Sequence, residues 1–199
     1  MESPTPKVLI AVLHQGYIRP ELIKLTKSQA DLKFYNLKPS ETARNTTVID
    51  ALEGGYDYLI SIDHDVVPLR DPVELTIFAK DIIGFAVPQW NMSDPSFPIY
   101  FVGMDKVDGG YQEHKKKEGL QEVDAVGTGC ICLSRKVLQE ISSPFIRKWN
   151  SKGIAIAGLD FYFCERAKEK GFQPYCNYDF IAEHYKEVGL LDVLNFKQS

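Results

Sequence analysis

Tyr58-Leu59-Ile60-Ser61-Ile62-Asp63-His64-Asp65 decides the reading of this chain: a nearly unbroken apolar run that ends in two carboxylates. A run of that length without polar alternation suits a strand covered on both faces, as in the interior of a parallel sheet. In such sheets ligands gather at the carboxyl ends of the strands, which is where Asp63 and Asp65 fall. Residues two apart in an extended chain share a face, so both carboxylates point at one guest and His64 points away. The pair repels itself unless a cation or hydrogen-bond donors lie between. Asp-x-Asp alone also fits a solvated acidic turn that caps the next helix.

Upstream, Lys7 to Leu13 reads as another fully buried strand, with His14-Gln15-Gly16-Tyr17 as the turn after it. Pro20 opens a helix that ends near Gln29, Leu32 to Leu37 is a short strand, and Ser40 caps a helix through Leu52 that Gly54-Gly55 stops. Downstream, Asp71-Pro72-Val73-Glu74 carries an N-cap, a Pro at the first helical position and a Glu able to close a capping box, which makes Asp71 structural. Ile82 to Val87 is a fourth strand, ended by Pro88. Strands alternating with helices imply right-handed crossovers and a parallel sheet of nucleotide-binding type. The pattern then loosens into a loop from Gln89 to Ser96; Ile99 to Gly103 reads as a strand, Val107-Asp108-Gly109-Gly110 as a hairpin turn, and Lys115 to Glu118 as a solvated charged stretch.

The 199 residues fit one domain, and 23 Lys and Arg against 27 Asp and Glu give a net charge of -4, which argues against a nucleic-acid partner. The polar start, Met1 to Pro6, and the lack of a long apolar run argue against a signal region or membrane span and for a soluble, cytoplasmic protein. Cys130, Cys132, Cys164 and Cys176 lack paired C-x-x-C spacing, which argues against zinc and leaves a disulfide open.

Three later features join the acidic strand. Val123 to Leu133 is an apolar strand interrupted by Gly127 and Gly129, whose missing side chains allow a bulge or a close approach. Gly158 to Arg166 opens a helix with Asp160 at its mouth and Gly171 as its stop, and Ile181-Ala182-Glu183-His184 is a short strand that delivers a histidine. With Ala43-Arg44-Asn45 and Asp63-His64-Asp65, the ordered set Val126-Gly127-Thr128-Gly129, Asp160-Phe161-Tyr162-Phe163-Cys164 and His184 resembles the glycosyltransferases of the GT-A fold, in particular the compact inverting type of bacteria, phages and archaeal viruses.

The resemblance implies a Rossmann-like three-layer α/β/α domain over 1–199 with a mixed, mainly parallel sheet. Residues 1–88 form its nucleotide-sugar half and 89–199 its acceptor and catalytic half, in the host cytoplasm for a viral member. It also implies donor contacts at Leu13, Arg44, Asp63 and Asp65, a divalent metal on Asp65 and His184, a catalytic base at Asp160 and an acceptor contact at Gly127. Trp90, following a strand on the ligand side, is a further acceptor candidate because aromatic faces complement the apolar faces of sugar rings. Where the family usually has Glu-Asp, this chain has Leu159-Asp160.

Sugar transfer from a nucleotide-sugar donor to a hydroxyl on a glycan, protein or other acceptor expels a diphosphate, whose growing charge a divalent cation stabilises. Carboxylates suit Mg²⁺ or Mn²⁺, and an imidazole ligand tilts the choice to Mn²⁺. A positioned carboxylate contributes roughly 10²- to 10⁴-fold as general base, the role given to Asp160; its competing role is N-cap of its own helix. Tyr185 to Ser199, with Lys186 and a hinge at Gly189, is expected to fold over the diphosphate. Two alternatives stand beside this reading. Asp63-His64-Asp65-Val66-Val67 also resembles the motif of haloacid-dehalogenase-type phosphohydrolases, although that motif normally opens its domain and needs a later lysine and acidic pair. The other is a sugar-nucleotide- or glycan-binding protein without turnover.

Overall fold

The computed structural model describes residues 5–36, 40–90 and 99–187. The first apolar run is β1 (Val8–His14), and its alternation decides the layering: Leu9 and Ala11 face one core, while Val8, Ile10 and Val12 face the other. The helix expected from Pro20 is a 3-10 helix over Pro20–Lys27. Its buried residues, Leu22 and Leu25, are three apart and so share one face of a helix with three residues per turn. β2 (Asp31–Asn36) and, after α1 (Ser40–Glu53), β3 (Tyr58–Asp63) both pair parallel with β1. The expected end of the second strand, Leu37, lies outside the described residues.

β4 (Val66–Pro68) leads to a second 3-10 helix, Pro72–Phe78, again with its buried pair, Pro72 and Leu75, three apart. Asp71 caps it as expected, its side chain accepting from the Val73 N–H at 3.0 Å. Glu74 pairs with Arg70 instead of closing a capping box. β5 (Ile82–Ala86) follows, and then β6 (Pro88–Trp90) pairs with β7 (Ile99–Phe101) where a loop was expected from Gln89; residues 91–98 lie outside the described ones. β8 (Gly103–Val107) and β9 (Gly110–Glu113) form the hairpin that Asp108-Gly109 announced.

β10 (Leu120–Glu122) precedes the glycine-interrupted run, which becomes two strands in two sheets: β11 (Ala125–Val126) beside β8, and β12 (Cys130–Ser134) in the main sheet. The glycines sit at the crossing. A Cβ on Gly127 would lie 3.1 Å from Val102 Cβ, and one on Gly129 3.2 Å from Val66 Cγ2. The chain ends with α2 (Arg135–Glu140), a hairpin of β13 (Lys148–Trp149) and β14 (Ala155–Ala157), α3 (Leu159–Glu169) and β15 (Pro174–His184). The main sheet runs β10-β15-β5-β12-β3-β1-β2, with β4 against the end of β15. β12 is antiparallel to both β3 and β5, which makes the sheet mixed though mainly parallel. α1, α2 and α3 pack on one face and the two 3-10 helices on the other, the α/β layering expected of the sequence. All four cysteines are buried and carry free thiols, so the disulfide left open does not form. No helix among the described residues is long and apolar enough to cross a membrane.

Candidate active site

β3 stops at Asp63, and His64 and Asp65 form a turn, with the His64 N–H bonded to the Leu13 carbonyl at 2.9 Å. The extended geometry that would aim both carboxylates at one guest therefore ends one residue early. Asp65 is placed by β4, which pairs antiparallel with the end of β15 in the register Val66 opposite His184. Beyond that last pair the Tyr185 N–H donates to the Asp65 carbonyl at 2.8 Å. The expected short strand at Ile181 is thus the end of an eleven-residue strand that pairs first with β5 and then, after an irregularity between Asn177 and Ile181, with β4.

That register brings Asp65 and His184 together, with His184 Nε2 3.3 Å from Asp65 Oδ2. The other ring nitrogen, Nδ1, lies 2.7 Å from the Pro88 carbonyl. A carbonyl only accepts, so Nδ1 carries the proton and a neutral ring turns the lone pair of Nε2 toward the carboxylate. A shared proton or a cation makes such an arrangement favourable. Two ligand atoms bound about 2.1 Å from one first-row ion lie about 3.0–3.4 Å apart, and a metal-bound histidine commonly gives its other N–H to a carbonyl. Asp65 and His184 therefore fit a divalent cation. Among the described residues no group of three or more His, Cys, Asp and Glu could hold a metal, so further oxygens would have to come from outside that set. Lys186 Nζ lies 3.1 Å from the same Asp65 oxygen. Burial pushes the Asp65 carboxyl upward, but in the metal-free site the hydrogen bond and charge of Lys186, and of a His184 that donates from Nε2 in place of offering its lone pair, outweigh it and hold the carboxyl well below the usual carboxylate range.

Asp63 has a separate partner. Arg44, 5% exposed on α1, donates from Nη2 to Asp63 Oδ1 at 2.6 Å, and its Nη1 reaches Ser61 Oγ at 3.3 Å and the Thr128 carbonyl at 3.4 Å. Burial raises the Asp63 pKa and repulsion from Asp65 adds to it, against the opposing charge of Arg44. The guanidinium of Arg44 is thus directed at the Asp63 carboxylate, the Ser61 hydroxyl and the Thr128 carbonyl.

Asp160 is the second residue of α3; the N-cap is Gly158, which makes no side-chain cap bond. Asp160 Oδ1 accepts instead from the Phe161 N–H at 3.0 Å. Burial raises its pKa, opposed by backbone N–H donors and by the charge of Arg44. It stands at the end of an open groove of about 570 Å³ lined by Thr128, Arg147 and residues 155–160. Arg147 Nε lies 3.1 Å from Glu41 Oε1 on α1, and Lys148 Nζ 2.9 Å from Glu165 Oε2 on α3, so the β13–β14 hairpin is fastened to both helices that carry site residues. Arg147 lines the groove just before β13, and the β13–β14 pairing is irregular between Lys148 and Trp149. Trp149, Ile154 and Ile156 are exposed by 56, 58 and 57%.

The remaining expected contacts are placed less directly. Leu13 is fully buried with its carbonyl taken by His64, and Gly127 is buried against Val102. Trp90 ends β6, partly exposed, two residues beyond the Pro88 carbonyl that orients His184. Residue reasoning passed over Pro88, Arg147 and Trp149. The last two had a readable signal, since Asn150-Ser151-Lys152-Gly153 between apolar residues has hairpin-turn composition.

The sequence matches no protein-family model and no curated protein. In structure the chain is similar to A197 from STIV, with a TM-score of 0.65 at 20% identity over 91% of this chain and 86% of that one. It is also similar to GalNAc-T7, solved with UDP, GalNAc and Mn²⁺, with a TM-score of 0.56 at 11% identity over 94% of this chain and 45% of that one. This chain thus spans less than half of the GalNAc-T7 chain. The likeness establishes a fold of GT-A glycosyltransferase type.

Proposed function

We propose that this chain is a metal-dependent glycosyltransferase that moves a sugar from a nucleotide-sugar donor to an acceptor hydroxyl with inversion. The observation that carries the reading is the meeting of Asp65 and His184 at the carboxyl end of the sheet, in this fold, with the His184 tautomer fixed by Pro88. A divalent cation held by Asp65 and His184, Mn²⁺ in preference to Mg²⁺ because one ligand is imidazole, would stabilise the departing diphosphate. Asp63, fixed by Arg44, accepts from hydroxyls of the donor. Asp160 takes the proton of the acceptor hydroxyl as that oxygen bonds to the anomeric carbon and the bond from that carbon to the diphosphate breaks. A carboxylate whose pKa is raised is, in its ionised form, a stronger base than an ordinary one.

Residues 1–88 would then supply most donor contacts and 89–199 the acceptor side. The groove in front of Asp160 is the acceptor's place, with Trp149 and Trp90 as candidate walls for a sugar ring, while Leu13 and Gly127 shape the floor from beneath. The phosphohydrolase alternative needs Asp63 as an unencumbered nucleophile, whereas one of its oxygens is held by Arg44. Thermal shift against a panel of UDP- and GDP-sugars with Mn²⁺ tests the proposal. A ligand at 100 times its dissociation constant should stabilise the protein by about 2.7 kcal/mol, and Asp65→Ala should abolish that response. Slow Mn²⁺-dependent hydrolysis of the same donor would support transfer. Turnover of phosphomonoesters would favour the phosphohydrolase, and donor binding without any turnover a binding protein.

A further inference from the structure

Lys186 and His184 meet the same carboxylate oxygen, Asp65 Oδ2, at 3.1 and 3.3 Å. Their freedom to leave it differs. The His184 side chain is 5% exposed and tied to Pro88, whereas the Lys186 side chain is 43% exposed and ends in a flexible ammonium. The backbone beneath Lys186 is nevertheless anchored at the site. Tyr185 donates its N–H to the Asp65 carbonyl at 2.8 Å, and its ring lies 3.5 Å from the Arg19 guanidinium carbon. An ammonium that swings off Asp65 therefore stays within a side chain's length of it.

A divalent ion and an ammonium on one oxygen repel each other, and the partner able to move is the lysine. Any diphosphate that completes the ion's coordination lies beside the same oxygen and offers the displaced ammonium a denser negative charge. Lysine binds phosphate as a point charge, without the fixed geometry arginine requires. We infer that Lys186 is a second cation of the site, which competes with the metal ion for Asp65 and turns to the donor's diphosphate once the ion is bound. The inference rests on the glycosyl-transfer reading and adds to it a residue that opposes the metal and assists the donor.

Those two effects have opposite signs, which the full-length Lys186→Met variant can separate. Titration of Mn²⁺ alone, followed by electron paramagnetic resonance, is expected to show about two- to fivefold tighter binding in Lys186→Met than in the wild type, the scale of one partly exposed ion pair. Calorimetry with UDP and with GDP at saturating Mn²⁺ is expected to show at least about fivefold weaker binding to the variant of whichever nucleotide the wild type takes. Unchanged or weaker Mn²⁺ binding in the variant overturns the competition, and unchanged diphosphate affinity overturns the second role; both leave the transfer reading standing. Mn²⁺ binding that is absent from both proteins, or that survives Asp65→Asn, overturns the metal site and this inference together.

Discussion

Asp160 sits where two duties could compete, and the geometry separates them. Gly158 holds the N-cap position without a side-chain bond, while the Asp160 side chain accepts from backbone N–H groups of the first turn, Phe161 among them, bonds that an Asn oxygen also accepts. Asp160→Asn should therefore melt close to the wild type yet lose roughly 10²-fold or more in turnover, about 2.7 kcal/mol of barrier, with donor affinity unchanged. Near wild-type turnover would remove Asp160 as the base. Because its pKa is raised in the fold, the acidic limb of kcat/KM should lie above that of an ordinary carboxylate. The same shift has a sign in stability: what the protonated carboxyl contributes is fully present below the unfolded pKa and is lost as pH rises through the folded one. Melting of Asp160→Asn relative to wild type should thus improve from acid to neutral pH, and a constant difference would contradict the raised value. Arg44 has the reverse logic. Arg44→Ala strands a largely buried Asp63 and should cost about 3 kcal/mol by urea unfolding, with part regained in the double variant with Asp63→Ala; strictly additive losses would mean that the pair is uncoupled. The sequence marked both residues, but Arg44 as a donor contact, because nothing in a helix sequence tells which carboxylate its arginine will meet.

At the level of elements, two pairings decide the site, and they differ in how visible they were. β4 against the end of β15 sets Asp65 beside His184, yet β4 has three residues and β15 changes partner after an irregularity, so neither shows a period from which a register could be read. The meeting of Asp65 and His184 could be expected because each ends a strand-like run and because the resemblance puts one metal on both. The β13–β14 hairpin did leave a trace in its turn residues, but a short pair with exposed apolar side chains lacks the burial pattern that marks a strand. Its second strand lines the groove through residues 155–157, and the exposed Trp149 on its first strand is its largest apolar side chain and the candidate contact for an acceptor that extends beyond the groove. Trp149→Ala should raise the acceptor KM about tenfold or more while leaving the rate of donor hydrolysis unchanged, the pattern of a contact made equally before and during reaction. Parallel loss of donor hydrolysis would place Trp149 outside the acceptor site.

For the molecule as a whole, the α/β class was legible because β1, β3 and β5 are continuous apolar runs separated by helix signals. The mixed order was not legible from those runs. Cys130-Ile131-Cys132-Leu133 has the same composition as its neighbours and carries no mark of direction, yet it enters antiparallel between β3 and β5. This insertion ties the proposed donor and acceptor halves into one sheet, since β3 and β5 meet only through a strand from later in the chain. The cysteines test that union. Cys130 and Cys132 lie at the centre of the sheet, Cys176 on β15 and Cys164 on α3, and burial pushes all four thiols up, the last two to about 12. Neither access nor ionisation then allows reaction in the folded state, because the thiolate is the attacking species. With an aromatic disulfide reagent in rising urea, the four thiols should react in one phase whose midpoint coincides with the loss of far-ultraviolet circular dichroism. Release of Cys164 and Cys176 at lower urea than Cys130 and Cys132 would show that α3 and β15 open independently, and that the acceptor side can loosen while the strands that carry Asp63 stay folded.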